Sequence, residues 1–327
     1  MKQLISLFQA GIMFGTVILF GATGEILTEK SGNLNLGVPG IMYLGGIVGL
    51  MGVFFYEMYT PIPNKLLCII IAMFCAFAAS MLGGLIYSVL TISLRANQNV
   101  TGLTLTIFAD GFSNFFGGSL NKLAGGVGQI SVSTTSAAFR ACLPFAKDLP
   151  PALNMLLGYG FMVYLAVVVA FIVNWFINRT SVGLNLRAVG ENPATADAAG
   201  INVTRYKYLA TCIGAGISGL GGLYYVMDYT KGTWDSDGGI GRLGWLAVAL
   251  VIFSSWKPKR GIWGAYLFGM LSWLYFYLPG LTRRSMELFK MLPYLFTVLV
   301  LIFVSLRRSR ENQPPEGLGL PYFREER

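Results

Sequence analysis

The sequence predicts an all-α, polytopic membrane protein with about nine transmembrane spans, and three observations support this fold class. Of the 327 residues, 54% are hydrophobic and only 12% are charged, whereas a soluble domain carries about 25% charged residues. The mean hydropathy is +0.61. The apolar residues are gathered into runs that mostly approach the ~20 residues needed to cross the hydrocarbon core of a bilayer, and polar segments separate these runs.

The spans follow one another along almost the whole chain. We place them at residues 4–24, 34–56, 66–92, 99–117, 153–178, 206–228, 239–256, 261–279 and 288–306. The first run lacks a small-residue cleavage site and is interpreted as a retained span. The seventh has a short uninterrupted apolar part, Leu243–Trp256, so we expect it to be tilted, broken or re-entrant. Nine spans place the two termini on opposite sides of the membrane.

The distribution of cations gives the predicted orientation. Most of the 24 Lys and Arg residues fall on one side of the nine-span arrangement, including those of the 179–205 loop and of the C-terminal tail. Basic residues in short loops favour the cytoplasmic side of a membrane. We therefore predict that this loop and the C-terminus are cytoplasmic and that the N-terminus lies outside.

Two polar, Gly-rich interruptions predict helices that are broken within the membrane. Thr28–Gly40 leads into the second span and Lys231–Gly241 leads into the seventh, on opposite sides of the membrane. This arrangement is typical of an inverted repeat, with spans 1–4 and 6–9 as the two halves. In the first interruption Asn33, Asn35 and Pro39 disfavour a continuous helix. They either line a translocation path, because a half-helix begins inside the bilayer, or belong to an ordinary interfacial loop.

The fourth span carries a polar face near its middle. Asp110, Ser113 and Asn114 are at helical spacing, and a carboxylate at this depth is costly unless it faces protein or water. We therefore expect the three side chains to face the interior of the bundle. There they either line the translocation path or hold two helices together by hydrogen bonds, and the second reading is slightly favoured.

Residues 1–310 are predicted to form one transmembrane domain, and two longer segments lie outside the spans. The outer segment 118–152 contains the run SVSTTS and closes with two prolines. It is either a surface loop with an interfacial helix or a platform for an extracellular partner. The tail 311–327 is rich in Pro, Gly and charge, and we predict a weakly ordered cytoplasmic tail.

The polar stretch Ser181–Arg205 separates the fifth and sixth spans and contains a short, clearly bounded helix. Asn192 is a good N-cap, Pro193 suits the first helical position, and Gly200 suits the left-handed residue that ends a helix. Two turns are not stable alone in water. The helix is therefore either a well-capped connector or a surface that docks onto a partner.

The residue inventory offers little for catalysis or metal binding. The chain contains no histidine, which is the commonest general base and a common zinc ligand. Its four cysteines are interpreted as small buried hydrophobes. No phosphate-binding loop and no G-x-S-x-G motif is present, and no pattern identifies a nucleophile. We predict that the chain is not an enzyme and holds no metal.

Two segments resemble the integral-membrane permeases of ABC importers. TEKSGNLNLGVPGIMYLGG, beginning at Thr28, is similar to that family's S/T-E-R/K-x-G-x-x-N-L-G-x-E-G pattern. VGLNLRAVGENPATADAAGI, beginning at Val182, is similar to its R-A-x-G-x-N-P-x-A-A-x-x-x-G-I loop. The first segment is most similar to the nucleoside and simple-sugar branch. The chain departs from the patterns at Pro39, where that branch commonly has Glu, and at Thr195, where Ala is usual.

The resemblance implies a function and a set of partners. The chain is expected to be a bacterial plasma-membrane permease that carries a nucleoside, paired with a second permease chain, identical or paralogous. A cytoplasmic ATPase would bind ATP and Mg, so this chain would need no cofactor, and an outer solute-binding protein would deliver the substrate. The resemblance makes 179–205 the coupling loop, whose short helix docks onto the ATPase. The coupling residues it implies are Arg187, Glu191, Asn192, Pro193, Ala194, Ala196, Asp197 and Gly200.

Other functions remain as alternatives. The substrate is alternatively a ribose-type sugar or a branched-chain amino acid. An ion- or proton-coupled secondary carrier that uses Asp110 is a hypothesis of a different class, and a non-transporting membrane scaffold is a third. No feature of the sequence indicates binding to nucleic acid.

Overall fold

A computed structural model describes residues 2–123, 129–142, 158–278, 283–307 and 313–323, and within these ranges the chain is helical throughout its spans. The first half contains α1 (Lys2–Glu29), α2 (Val38–Tyr59), α3 (Lys65–Ser88), α4 (Gln98–Leu123) and α5 (Ser133–Phe139). The middle contains α6 (Phe161–Arg179), α7 (Ser181–Glu191), α8 (Pro193–Ala198) and α9 (Val203–Tyr224). The last part contains α10 (Gly239–Phe253), α11 (Pro258–Trp273), α12 (Arg283–Lys290) and α13 (Leu292–Arg307). Single π-helical turns extend α3 and α9, and a 3₁₀ turn extends α11.

Five of these helices are long and apolar enough to cross a membrane. They cover Ile5–Glu29, Val38–Tyr59, Lys65–Ser93, Phe161–Arg179 and Val203–Tyr229. Each of the other four predicted spans overlaps a helix, namely α4, α10, α11 or α13. The structure therefore confirms an all-α protein with several membrane-spanning helices, while the number nine stays a prediction.

The core lies where α1, α2 and α9 pack against one another, with α3, α4, α6, α10 and α11 around them. α1 and α9 are antiparallel and approach closely at Gly24 and Gly214. A Cβ on either glycine would overlap the carbonyl oxygen of the other. α2 approaches α9 in the same way at Gly45 and Gly219. Small residues allow this close backbone contact, which is typical of helix packing in membranes.

The two predicted breaks lie at opposite ends of the bundle. The first break, residues 30–37, follows the C-terminus of α1, and α9 begins on the same side. The second break, residues 230–238, follows the C-terminus of α9 and its π-turn. Each break is immediately followed by a helix whose N-cap is a glycine, Gly37 for α2 and Gly238 for α10. The positions of the two interruptions along the chain are thus confirmed.

The Ser/Thr run of the outer segment 118–152 packs onto the bundle. Thr135 donates its backbone N–H (2.7 Å) and its hydroxyl (2.5 Å) to Glu57 Oε1. The Ser136 hydroxyl donates to the carbonyl oxygen of Met227 at 2.9 Å. The hydroxyls of α5 are thereby buried as anchors, which the expectation of a surface loop did not include. The stretches 124–128 and 143–157 of this region lie outside the described residues.

The described part of the tail also makes contacts with the bundle. Residues 313–323 form a turn at Glu316–Gly319 and lie against the coupling loop and the first break. Glycines of this stretch donate backbone hydrogen bonds to distant carbonyls, while weak order of the tail as a whole stays a prediction from its composition. The contact also places the tail and the coupling loop at the same end of the bundle, as the cation distribution predicts.

Candidate coupling surface and polar breaks

Side-chain caps mark the start of α7 and the start of α9, near the two ends of the coupling loop. The Thr180 hydroxyl accepts a hydrogen bond from the backbone N–H of Gly183 at 3.0 Å and so begins α7. Asn202 Oδ1 accepts from the N–H of Arg205 at 2.9 Å and begins α9. Each cap satisfies an N–H group that would otherwise lack a partner at the start of a helix.

The short helix α8 forms as its punctuation predicts. Asn192 Oδ1 accepts a hydrogen bond from the N–H of Thr195 at 3.0 Å, and Pro193 occupies the first turn. Gly200 has φ +84°, the left-handed conformation that favours glycine after a helix. The N-cap, the first position and the end of the helix are therefore confirmed. That the helix docks onto a partner stays a prediction.

The coupling helix buries one face and exposes the other. Ala196 is 3% exposed and packs with Val189 and Val203 in a small apolar cluster. Pro193 and Asp197 are partly buried beside it. The exposed positions on and around the helix are Glu191, Asn192, Ala194, Thr195, Ala198, Ala199 and Gly200. The exposed face thus consists of small side chains, which allow another protein backbone to approach closely.

A group of charges lies where the coupling loop meets the end of α1. Burial lowers the pKa of Lys30, while the carboxylate of Glu191 opposes this and the nearby Arg187 guanidinium adds to it. Arg187 Nε is buried and has no hydrogen-bond partner among the described residues. Glu191 and Arg187 thus lie close enough to Lys30 to act on its charge, which links the loop electrostatically to the end of α1.

The tail joins the coupling loop to the first break through its backbone. The N–H of Gly317 donates to the carbonyl oxygen of Gly190 at 2.9 Å, and the N–H of Gly319 donates to that of Gly32 at 3.2 Å. Gly32 and Gly319 both have positive φ, +87° and +80°. The tail therefore contacts both the coupling loop and the first break, and the positive φ of Gly319 permits the turn between these two contacts.

Side chains of the tail reach α8 and α3. The Tyr322 hydroxyl donates to Asp197 Oδ2 at 2.9 Å, and its ring packs on the Ala196 cluster. The guanidinium of Arg95, after α3, lies 4.4 Å from the centre of the Phe323 ring. The coupling helix is thus held from inside by the apolar cluster and from the side by the tail.

The first break is held by a buried carboxylate of α1. Asn35 donates its backbone N–H to Glu25 Oε1 at 3.2 Å and its side-chain amide to Glu25 Oε2 at 3.3 Å. Asn35 Oδ1 accepts from the N–H of Gly37, the residue before α2, at 2.9 Å. Glu25 and Asn35 are 1% and 2% exposed. Asn35 therefore fixes the shape of the break and has no free surface for a ligand.

Neighbouring residues of the break bond to the other helices. Asn33 donates its side-chain amide to the Thr211 hydroxyl on α9 at 3.1 Å. The N–H of Leu34 donates to Gln98 Oε1 at the start of α4 at 2.7 Å, and its carbonyl oxygen accepts from the Tyr87 hydroxyl on α3. The break thus contacts α1, α3, α4 and α9, which satisfies the polar backbone groups that a non-helical segment leaves within a bundle.

A second carboxylate of α1 reaches the other half of the chain. Glu29 is 3% exposed, and its Oε2 accepts a hydrogen bond from the indole N–H of Trp256. Ser255 and Trp256 have φ of +53° and +55°, a left-handed turn that few residues adopt without support. This turn separates α10 from α11 and directs the indole towards α1.

Pro39 lies where α2 and α10 cross. It occupies the first turn of α2, and a Cβ on Gly244 of α10 would contact its ring and Cα. Pro39 is buried, so it contributes shape and not a polar group. Its ring fills the position for which the resemblance leads us to expect glutamate.

The polar face of α4 bonds to the second break. Asn114 donates its amide to Asp110 Oδ1 at 3.0 Å, and Asn114 Oδ1 accepts from the indole N–H of Trp234 at 3.1 Å. The ring of Trp234 lies 6.3 Å from that of Tyr43 on α2. Ser113 is buried and its hydroxyl has no partner among the described residues. Asp110 and Asn114 therefore connect α4 to the second break and, through Trp234, to α2. Asn33 and Asn35 lie in the first break, at the opposite end of the bundle.

Several residues of these sites were missed by the sequence reasoning. Glu25 and Glu29 carried a usable signal, because two carboxylates one helical turn apart at the end of an apolar helix are unusual. Trp256 and Tyr322 carried none, since only the folded chain brings them to Glu29 and Asp197. Thr211 and Gln98 likewise act through long-range contacts.

Comparisons with known proteins show which family the sequence is similar to. A family model described as branched-chain amino acid transport system / permease component matches residues 7–303. The chain is 31% identical over 344 residues to the putative glucose ABC transporter permease protein TsgC13 of Haloferax volcanii, covering 98% of both chains. It is 30% identical over 345 residues to the guanosine ABC transporter permease protein NupQ of Bacillus subtilis, covering 99% of both. It is 27% identical to the nucleoside ABC transporter permease protein NupC of Lactococcus lactis over 89% of both. No solved structure matches the chain significantly.

Proposed function

The chain belongs to the family of branched-chain amino acid transport system permease components, and from this membership we propose that it carries a nucleoside through an ABC importer. The family match confirms the resemblance seen at 28–46 and 182–201. The chain is accordingly a membrane transport subunit of the ABC permease type and not the ATP-hydrolysing part. The finer statements below on substrate, partners, orientation and repeat are our proposals.

The observation that carries the substrate proposal is the length of the match to nucleoside permeases. Guanosine and nucleoside permeases align with this chain over 99% and 89% of its length. A putative glucose permease aligns equally well, which keeps a simple sugar as the second candidate. Both candidates carry the hydroxyl groups of a sugar, and the nucleoside adds a planar base that aromatic side chains can stack on.

The substrate proposal is tested by uptake into proteoliposomes that contain the assembled importer with its ATPase and binding protein. We expect ATP-dependent uptake of labelled guanosine that unlabelled uridine reduces and that glucose, ribose and leucine leave unchanged. Uptake of glucose, with no effect of either nucleoside, would assign the chain to sugar transport instead.

We place the translocation path beside the second break. The supporting residues are the half-buried Asp110 and Asn114 and the buried Tyr43 and Trp234, which form a polar and aromatic group between α2, α4 and the break. Asn33, Asn35 and Pro39 would shape the path from the other end by fixing the start of α2. Ser113 lies on the buried side of the same helix.

The inverted repeat is supported by the way the helices pack. Exchanging α1 with α9, α2 with α10, α3 with α11 and α4 with α13 reproduces the main contacts. α1 packs on α11 as α9 packs on α3, α1 packs on α10 as α9 packs on α2, and α2 packs on α4 as α10 packs on α13. We propose that spans 1–4 and 6–9 are these two halves and that the chain crosses the membrane nine times.

The coupling proposal rests on the exposed face of α8. A capped, two-turn helix that is held in place from behind presents small side chains outward, which suits insertion into a cleft of a partner ATPase. We propose that ATP and Mg bind on that partner, that a second permease chain completes the path, and that a solute-binding protein meets the outer side. The coupling loop and the tail would then be cytoplasmic, with the N-terminus outside the plasma membrane.

The coupling proposal is tested with Ala194→Arg, which places a long cation on the exposed face of α8. Ser181→Arg, at an exposed position outside α8, is the matched control. We expect Ala194→Arg to weaken association with the ATPase about tenfold and to abolish ATP-driven uptake, because interface centres tolerate such changes poorly. Equal uptake and equal ATPase binding in the two variants would contradict the proposal.

A further inference from the structure

A cavity of about 610 Å³ lies at the coupling-loop end of the bundle, outside the proposed translocation path. Its walls come from the end of α3, the first turns of α9 and the tail, and Asn33 of the first break reaches it. Its volume is far larger than the space that one bound water needs, and most of the side chains that line it are polar. Asn33 and Asp197 have roles described above, but Lys207 and Arg205 of the same cavity have none.

The cavity contains a buried cation that has no partner. Lys207 is 3% exposed and lines the cavity from the second turn of α9. Within the described part of the chain its ammonium group makes no hydrogen bond or ion pair. A buried ammonium group is costly unless an anion pairs with it. Since the side chain could have been apolar at this position, the unpaired charge points to a ligand.

Two further cations face the same space. Arg95 and Arg205 line the cavity together with Lys207, and among the residues that the structure describes Asp197 is the one carboxylate in its lining. Asp197 already accepts a hydrogen bond from the Tyr322 hydroxyl. Arg95 lies over the Phe323 ring, and such stacking occupies the face of a guanidinium but not its N–H edge. The positive end of the α9 helix dipole adds to the attraction for an anion.

We propose that this cavity binds a phosphate-bearing anion, with Lys207 as its central contact and Arg95 and Arg205 at its rim. A phosphate group offers several acceptor oxygens and up to two negative charges, which match one ammonium group and two guanidinium forks better than a single carboxylate does. The group comes either from a free phosphate compound or from the headgroup of an anionic lipid.

The position of the site gives it a regulatory consequence. Tyr322 and Asp197 line the cavity, and their hydrogen bond joins the tail to the coupling helix. Asn33, which also lines it, fixes the first break through Thr211. A bound phosphate would therefore hold the tail, the coupling helix and the break in one arrangement, and its loss would free them to move relative to one another.

The test uses the full-length chain in dodecyl maltoside without phosphate, as wild type, Lys207→Met and Lys259→Met. Met keeps the length and the helix propensity of Lys, and Lys259 is an exposed cation outside the cavity. The probes are inorganic phosphate and a short-chain phosphatidylglycerol, with phosphatidylcholine of the same chain length as the lipid control. Each probe is titrated while the thermal midpoint is measured, and native mass spectrometry counts bound lipid.

We expect one probe to raise the thermal midpoint of the wild type and Lys259→Met alike. Lys207→Met should require about tenfold more of that probe, the loss of one charged hydrogen bond. A response to inorganic phosphate identifies a free phosphate compound, and a response to phosphatidylglycerol alone identifies a lipid. If Lys207→Met fails to fold, Arg205→Gln replaces it with the same expectation. The absence of any response in the wild type, or equal responses in all variants, would overturn the proposal.

Discussion

The coupling loop and the first break lie against each other, yet they are ordered in opposite ways. The coupling loop takes its shape from local caps at Thr180, Asn192 and Asn202, each bonded to an N–H three residues away. The first break takes its shape from side chains far away in sequence, such as Glu25 and Thr211. Its side chains are buried, whereas the caps at Asn192 and Asn202 are exposed.

This difference teaches where substitutions should be costly. An exposed cap that is lost can be replaced by water, so its removal costs about 1 kcal/mol. A buried group whose partner is removed keeps its full desolvation penalty, which costs about 1–3 kcal/mol and more where a charge is involved. The same asparagine-to-alanine change should therefore have different effects in the two regions.

The largest effect is expected for Asn35→Ala. It removes the side-chain amide that donates to the buried Glu25 and the Oδ1 that accepts from the N–H of Gly37, while the backbone N–H of residue 35 is kept. We expect a loss of about 3 kcal/mol of unfolding free energy, since two buried groups, one of them a carboxyl group, each lose a partner. The measurement is thermal or denaturant unfolding in detergent. Asn64→Ala, an exposed cap on α3, is the matched control, and equal losses in the two would contradict the comparison.

A somewhat smaller effect is expected for Trp256→Phe. Phenylalanine fills much of the same volume but cannot donate to Glu29, which leaves that buried carboxylate without this hydrogen bond. We expect a loss of about 2 kcal/mol. Trp263→Phe changes a side chain that is 79% exposed and should be nearly neutral. Uptake measurements on the same two variants add a functional test, because the hydrogen bond between Trp256 and Glu29 connects the two halves of the chain.

Asn192→Ala sharpens the comparison from the other side. It removes the acceptor for Thr195 N–H at an exposed position, so the unfolding free energy should fall by only about 1 kcal/mol. Hydrogen exchange at Thr195 should accelerate, while exchange in α1 and α2 stays unchanged. Asn192→Asp retains an acceptor and should restore slow exchange. A loss as large as that of Asn35→Ala would remove the distinction between the two regions.

The same contrast explains what the sequence predicts and what it does not. The coupling helix was predictable to its caps, because Asn192, Pro193 and Gly200 lie within one stretch of nine residues. The existence of the first break was also predictable, since Pro39 and its neighbouring glycines interrupt a helix. The contacts that hold the break were not, because Glu25 and Trp256 meet their partners only after the helices have packed. The contacts of the tail with Gly190 and Gly32 were not predictable for the same reason.

The smallest effect is expected for Tyr322→Phe, which tests whether the tail holds the coupling helix. The substitution keeps the ring on the Ala196 cluster and removes only the hydroxyl that donates to Asp197 at 2.9 Å. Because this contact is partly exposed, we expect at most about 1 kcal/mol in unfolding free energy. Hydrogen exchange should nevertheless accelerate at residues 193–199 and at 316–322 together, since one bond joins the two segments. Tyr59→Phe, at a position 76% exposed on α2, should change neither segment. If exchange in α8 is unchanged in Tyr322→Phe, the local caps and the Ala196 cluster hold the coupling helix without the hydrogen bond from the tail.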